Sequence, residues 1–208
     1  MNKRVVKEAL ILFIITVIVA FALAGVYAVM KAPIAKADYE KTQKSYKEVF
    51  SNADSFVQLK GFKESDAASV IKKAGYQDDK ISNCMQALDK SGKLLGYVIT
   101  VTDPNGYGGD ITFSVGVRKD GTVNGYSITT INETAGLGMK AKEPKFQDQF
   151  HEKKVAKFNV TKSGAKAKED VDAITGATIT SRAVTSGVNA SIAYSNALVK
   201  QYKGEVVK

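Results

Sequence analysis

The residues whose types and spacing could support chemistry lie in one short run, Asp172-Ala173-Ile174-Thr175-Gly176-Ala177-Thr178-Ile179-Thr180-Ser181. Small hydroxyl side chains and one glycine precede a segment with helical periodicity. Free backbone N–H groups and the positive end of the helix dipole converge at such a position, and a glycine lets a phosphate approach the backbone. The run therefore predicts an anion site at the start of a helix, with ordinary capping by a Thr or Ser side chain as the alternative.

A second run, from Asn132 to Lys140, is rich in glycine and contains Glu133, Thr134, Gly136, Leu137 and Gly138. The glycines permit close approach of the backbone to a ligand. Leu137 offers an apolar contact for a ring face, and Thr134 can form a hydrogen bond with a ring edge. A glycine-rich connection between a strand and a helix is the alternative interpretation.

Cysteine and histidine are nearly absent, because Cys84 and His151 are the single representatives of their types. This excludes an intramolecular disulfide and a zinc site of the Cys/His type. No catalytic triad or dinucleotide-binding fingerprint is present either. We expect Cys84 to be a small core residue and His151 to lie on the surface.

The elements that must position these runs begin with an apolar segment, because Ala9 to Met30 contains no charged side chain. As a helix it would span roughly 33 Å, against about 30 Å of bilayer hydrocarbon. Lys3, Arg4 and Lys7 precede it, which predicts a cytoplasmic N-terminus and an extracytoplasmic remainder. Residues 1–30 are thus a tail and anchor in the cytoplasmic membrane, and residues 31–208 an exported domain. A cleaved signal peptide is the alternative.

The net charge of +9 first suggests a nucleic-acid partner. The positive residues are dispersed, however, and no pattern of interleaved aromatic and basic residues accompanies them. An exported domain beside an anionic membrane accounts for the charge. We therefore expect no nucleic-acid binding.

The exported part has the pattern of an α+β fold, an antiparallel sheet flanked by helices. Four β-branched or alternating runs are separated by short turns, which predicts strands at residues 81–88, 94–102, 111–118 and 122–131. A connector at 32–35 precedes these, and a further short strand is expected at 155–160. Helical patterns occupy residues 38–57 (with a possible break at 51–54), 65–74, 145–153 and 180–201.

Both chemical runs resemble motifs of the FMN-binding domain family. Thr175-Gly176-Ala177-Thr178-Ile179-Thr180 looks like its flavinylation motif, Ser/Thr-Gly-Ala-Thr-x-Thr/Ser with an Asp three residues upstream, here Asp172. Asn132 to Lys140 resembles the Glu-Thr-Pro-Gly-Leu-Gly loop of the Rnf and Nqr flavin subunits, with Ala135 in place of the usual Pro. The resemblance covers essentially the whole chain. The length of the chain is closer to that of the Rnf subunits than to that of the Nqr subunits.

The resemblance implies a covalent FMN cofactor. An FMN transferase would link the phosphate of FMN to the Thr180 hydroxyl, with Thr178 as the nearest rival, and Asp172 would serve recognition by that transferase. Thr175, Gly176 and Ala177 would complete the binding segment, and the loop from Glu133 to Gly138 would lie against the isoalloxazine ring. The protein would then relay electrons between other subunits of a membrane complex, an ion-translocating ferredoxin:NAD oxidoreductase, without being catalytic alone.

Three alternatives to this function stay open. One is a flavin subunit within a Na⁺-translocating quinone reductase of the Nqr type. Another is a stand-alone anchored flavoprotein for extracytoplasmic electron transfer. The last is a non-redox binding module in which the helix start is merely capped.

Overall fold

The computed structural model describes residues 3–203 and 205–207 of the chain. Its first element is one long helix, α1 (Lys3–Val49), with Pro33 inside it. The predicted connector at 32–35 is therefore wrong, because the helix continues through the proline.

The early part of α1 is long and apolar enough to cross a membrane, with a mean hydropathy of 3.0 over its most apolar 18 residues and no buried side chain there. The chain divides into two compact units, Met1–Lys41 and Thr42–Lys208. The predicted division into an anchor at 1–30 and an exported domain at 31–208 stays a prediction.

The second unit is built on a six-stranded antiparallel sheet with its strands in sequential order. The strands are β1 (Ser55–Gln58), β2 (Lys80–Leu88), β3 (Leu94–Gly106), β4 (Gly109–Arg118), β5 (Thr122–Thr130) and β6 (Lys153–Lys154). A separate parallel pair consists of β7 (Asn159–Thr161) and β8 (Asp170–Asp172). The α+β class, the four predicted strands and the short antiparallel connections are confirmed.

The two faces of the sheet are covered by different helices. On one face, Tyr97, Ile99 and Val101 of β3 join the main core with α2 (Glu64–Lys73) and α4 (Thr178–Tyr202). On the other face, Val98 packs with the last residues of α1 and the turn after it. This alternation along β3 is what a strand covered on both faces requires.

The end of α1 is fixed to the sheet by apolar packing and hydrogen bonds. Tyr46, Val49 and Phe50 are buried. The Asn124 side chain donates to the Val49 carbonyl over 2.9 Å, and the Ser45 hydroxyl lies 2.9 Å from that of Ser114. These contacts satisfy polar groups that the packing removes from water.

Three details differ from the sequence-based assignment. The amphipathic helix expected from residue 38 ends at Val49, so Phe56 and Val57 lie in β1. Of the helix expected at 145–153, only residues 145–147 are helical, in the short α3 (Pro144–Gln147), which follows a 3₁₀ turn (Gly138–Lys142). Glu152, with a φ of 54°, turns the chain into β6. Of the strand expected at 155–160, only the last two residues are in β7.

The remaining predictions for this unit hold. Helix α2 and helix α4 occupy the expected positions within two residues. Cys84 is fully buried in β2, and His151 is exposed.

The packing of α4 on the sheet yields a stability prediction at Gly187. A Cβ atom there would lie 2.6 Å from Cζ of Phe113 in β4. Replacing glycine by alanine inside a helix normally gains about 1 kcal/mol. We expect Gly187→Ala instead to lower the free energy of unfolding by about 1–3 kcal/mol, because the methyl group overpacks the core.

The measurement is chemical denaturation of the full chain in detergent, with a Phe113→Leu background as the control. Leucine lacks the Cζ atom, so the cost of Gly187→Ala should shrink in that background. An increase in stability on adding Gly187→Ala to the unaltered chain would contradict the packing.

Candidate functional site: a cavity at the start of helix α4

The start of α4 is not capped by any side chain. The residue before it, Ala177, has φ −136° and ψ 48°, and no side chain bonds to the first free amides. Within the described residues, the backbone N–H groups of Thr178, Ile179 and Thr180 donate no hydrogen bond to the protein. The capping alternative is therefore wrong here, and the free donors, together with the helix dipole, are available to bind an anion.

The hydroxyl of Thr180 is the buried polar atom that this site leaves without a partner. The residue is 0% exposed, and its Oγ1 forms no hydrogen bond with any of the described residues. The neighbouring Ser181 differs, because its hydroxyl donates to the Ala177 carbonyl and accepts the Ile174 N–H. An unsatisfied buried hydroxyl costs about 1–3 kcal/mol, so its position calls for a ligand or a reaction.

Gly138 provides the space in which the Thr180 hydroxyl lies. A Cβ atom on Gly138 would lie 2.7 Å from Thr180 Oγ1 and 2.5 Å from Oε2 of Glu133. No larger residue fits there without displacing one of these groups. The loop after β5 and the start of α4 therefore pack so closely that the position of Gly138 has room only for the hydrogen atom of a glycine.

The loop itself is held from two sides. Its backbone turns at Gly136, which has a φ of 76°, and the N–H of Leu137 donates to the Thr134 carbonyl over 3.1 Å. The tip of the β3–β4 hairpin supports it, because the Gly108 N–H donates to Oε1 of Glu133 over 3.3 Å. These contacts fix Glu133 between the hairpin and α4.

These elements enclose a cavity of about 560 Å³. Cofactor sites commonly have volumes of about 300–1,000 Å³. Its wall consists of Tyr107, Glu133, Thr134, Leu137, Gly138, Gly176, Ala177, Thr178, Ile179 and Thr180. The structure thus brings together eight of the residues that the sequence predicted for one site.

Two residues of the wall were missed by the sequence analysis. Tyr107 at the hairpin tip is 72% exposed, and Ile179 is 51% exposed. With Leu137, which is 42% exposed, they give the cavity an apolar rim. The signal that could have found Tyr107 is its place in the glycine-rich run Gly106-Tyr107-Gly108-Gly109-Asp110, a composition that is also typical of a tight turn.

Three predicted residues are not in this wall. Gly136 only shapes the loop, whereas Asp172 and Thr175 face a neighbouring cavity of about 810 Å³. The backbone of Asp172 is held by Gln149, whose side chain accepts its N–H over 2.6 Å and donates to its carbonyl over 3.2 Å. The motif therefore forms a partition between two cavities, the second of which also contains Lys140, Lys145, Lys153 and Lys162.

The first cavity fits FMN in three respects. The free amides at the start of α4 suit its phosphate, and the apolar rim suits a planar ring. The unpartnered Thr180 hydroxyl lies beside those amides. Among the described residues, no cluster of His, Cys, Asp and Glu could hold a metal ion.

Comparison with known proteins agrees with this fit. Residues 106–193 match the model of the family described as "FMN-binding domain". The chain is 32% identical over 192 residues to the G subunit of the Na⁺-translocating ferredoxin:NAD⁺ oxidoreductase complex of Acetobacterium woodii, covering 91% of both chains. It is 28% identical over 197 residues to the G subunit of the ion-translocating oxidoreductase complex of Methanosarcina acetivorans, covering 94% of this chain and 97% of that one.

A solved structure gives the same fold. The C subunit of the Na⁺-translocating NADH-quinone reductase of Parabacteroides distasonis superposes with a TM-score of 0.50 and 21% identity, covering 76% of this chain and 92% of that one.

The fold and the cavity are those of an FMN-binding domain joined to an apolar N-terminal helix. The chain belongs to the FMN-binding domain family, in the branch formed by the G subunits of the Rnf ion-translocating oxidoreductase complexes.

The contact between Gly138 and Thr180 yields a prediction about flavin content. In Gly138→Ala the added methyl group takes the space beside Thr180 Oγ1. We expect the purified chain, coexpressed with an FMN transferase, to carry at least tenfold less flavin by absorbance while remaining folded.

A matched control is Ala135→Pro, in the same loop. Among the described residues the Ala135 N–H donates no hydrogen bond, so a proline there removes none and should leave the flavin content unchanged. Full flavin loading of Gly138→Ala would contradict the proposed geometry.

Proposed function

We propose that this chain carries FMN as a phosphoester on Thr180 and passes electrons between neighbouring redox subunits of an Rnf-type ion-translocating ferredoxin:NAD oxidoreductase. The observation that carries the proposal is the Thr180 hydroxyl, which is fully buried and, in the part of the chain that the structure describes, has no hydrogen-bond partner. It belongs to the same first helical turn as three backbone amides that are free in that part of the chain. Relatives that match along nearly the whole chain support the complex over a stand-alone flavoprotein.

The protein's part in this function is to hold and shield the cofactor. When bound, FMN supplies reversible one-electron and two-electron transfer. The amides of Thr178, Ile179 and Thr180 would bind its phosphate, and the apolar rim would exclude water from its ring. An ester bond would keep the cofactor in place outside the cytoplasm, where no FMN pool replaces it.

Attachment requires the loop after β5 to move. The Thr180 hydroxyl is covered by Gly138 and Glu133, so an FMN transferase reaches it only when the loop from Thr134 to Met139 is displaced. In the reaction the Thr180 oxygen would lose its proton and form a bond to the phosphorus of the flavin phosphate while the bond from that phosphorus to a leaving-group oxygen breaks. With FMN as the donor, that oxygen leaves with the proton as water. The product is heavier than the chain by FMN less one water.

We further propose that Asp172 contributes to recognition by the transferase. Its carboxylate forms no hydrogen bond within the described residues, and it lies on the side of the motif away from the cavity at the start of α4. A partner approaching from the lysine-containing cavity would meet Asp172 and Thr175 together.

Mass spectrometry of threonine variants tests the attachment site. We expect Thr180→Val to abolish the mass gain, because no hydroxyl remains at that position, and Thr180→Ser to retain it. Thr178→Val is the matched control, since Thr178 lies in the same cavity wall and should not carry the ester. Denaturation-resistant flavin on Thr180→Val, or its loss in Thr178→Val alone, would contradict the assignment.

The membrane arrangement is part of the same proposal. Lys3, Arg4 and Lys7 would hold the N-terminus of α1 in the cytoplasm, α1 would cross the membrane once, and the FMN-binding domain would lie outside.

Protease accessibility tests this arrangement. We expect trypsin added to intact spheroplasts to remove the FMN-binding domain while an epitope placed before Lys3 survives. In inverted vesicles the result should reverse, with the epitope lost first. Protection of the domain in spheroplasts that degrade a known external control protein would contradict the orientation.

A further inference from the structure

Two buried carboxyl groups lie outside the FMN cavity and have no role in the function proposed above. Asp79, just before β2, is 3% exposed, and Asp103 in β3 is 1% exposed. They are the only acidic side chains that are buried among the described residues. Burying a charge is costly unless it is paired or neutralised, so this arrangement needs an explanation.

The hydrogen bonds around the two groups leave one oxygen unsatisfied. The Ser186 hydroxyl of α4 donates to Oδ2 of Asp79 over 2.7 Å, and the Asn105 N–H donates to Oδ1 of Asp103 over 2.6 Å. Oδ1 of Asp79 is buried and accepts no hydrogen bond from the residues that the structure describes. The antiparallel register pairs Lys80 with Thr102, which puts the adjoining residues Asp79 and Asp103 opposite each other, and Asp103 lines the same cavity wall as Ser186. A proton shared between the two carboxyl groups would satisfy Oδ1 of Asp79.

The surrounding charges favour keeping that proton. Burial, opposed by the Ser186 hydrogen bond and reinforced by the charge of Asp103, raises the pKa of Asp79 to about 8. Asp78 adds a smaller effect in the same direction, and the Tyr76 hydroxyl faces Asp79 from the same loop. Two exposed cations lie nearby. Lys80 follows Asp79 and pairs across the sheet with Thr102, the residue before Asp103, and Arg182 lies in the wall of a shallow cavity that it shares with Asp103.

We propose that Asp79 and Asp103 form a proton-binding site, with one proton held between their carboxyl groups against the sheet-facing side of α4. Like charges this close cannot both be desolvated, which is why one group stays neutral. The geometry that carries this is the buried pair, the unsatisfied Oδ1 of Asp79 and the anchor to Ser186.

The site lies on the helix that begins at the FMN cavity. Ser186 is six residues after Thr180, or about 9 Å along the helix at about 1.5 Å per residue. Loss of the proton adds a negative charge beside the first turns of α4, which disfavours adding an electron to a group held there. By reciprocity, electron uptake by a flavin attached at Thr180 favours proton binding at the pair of carboxyl groups. This consequence rests on the proposed function.

Carbon-13 NMR of aspartate carboxyl groups tests the site itself, using the flavin-free full chain in detergent. We expect one carboxyl group to remain protonated at pH 6.5 and to titrate near pH 8. The signal should vanish in Asp79→Asn and titrate at least one pH unit lower in Asp103→Asn. The exposed neighbour provides the matched control, because Asp78→Asn should keep the protonated signal. Ionisation of every aspartate at pH 6.5, or persistence of the signal in Asp79→Asn, would overturn the proposal.

The pH dependence of stability gives an independent readout on the same flavin-free chain. The folded pKa of Asp79 is raised above its unfolded value, so the folded state binds the proton more tightly and stability falls as pH rises from about 4 to about 8. Asp79→Asn cannot ionise, and its melting temperature should exceed that of the unaltered chain by an amount that grows over this range. A difference independent of pH would count against the proton.

Potentiometry of the flavin-loaded chain tests the coupling. Between pH 7 and 9 the midpoint potential should fall more steeply with pH in the unaltered chain than in Asp79→Asn. If the midpoint potentials of the two proteins change equally with pH, the coupling is refuted, and the NMR result alone decides whether the proton site exists. If no flavin can be attached at Thr180, the function proposed above fails, whereas the NMR and melting experiments still decide the proton site.

Discussion

The structure depends on how closely α4 approaches the sheet. Gly187 leaves no room for even a methyl group against Phe113, and several hydroxyl groups on the buried side of the helix bond back to its own carbonyls. Such self-satisfied small side chains allow a polar sequence to pack with few unpaired groups, and among the described residues of this helix the hydroxyls of Thr180 and Ser195 are the exceptions. The position of the helix is thereby fixed across β3 and β4, and its free N-terminal amides are held against the loop after β5.

The central strands of the sheet could be predicted from the sequence more fully than the elements around them. Strands β2 to β5 have alternating side chains and strong turn residues, which are local signals. Phe56 and Val57 fit a helix or a strand equally well over so short a run, and only pairing with β2 decides between them. Phe146 and Phe150 keep the helical spacing of four because both enter the aromatic cluster around Tyr126, although the chain between them is mostly turn.

Most residues of the site could be predicted from the sequence, but the distribution of the motif residues over two cavities could not. The residues from Gly176 to Thr180 and the loop from Glu133 to Gly138 were assigned to one place, and the structure brings most of them together. The positive φ of Gly176 turns the chain so that Asp172 and Thr175 face the other way. A backbone turn of this kind is allowed by glycine but not specified by it, and the contribution of Tyr107 depends on where a hairpin tip lies.

Burial of Cys84 has a consequence for the handling of the protein. The sulfur lies inside β2, where burial raises the pKa of the thiol and keeps it from forming the nucleophilic thiolate. A lone thiol on the surface would join two copies under oxidising conditions. This one is inaccessible, so the folded chain needs no reducing agent, and a cysteine introduced on its surface would be the sole point of attachment for a spectroscopic label.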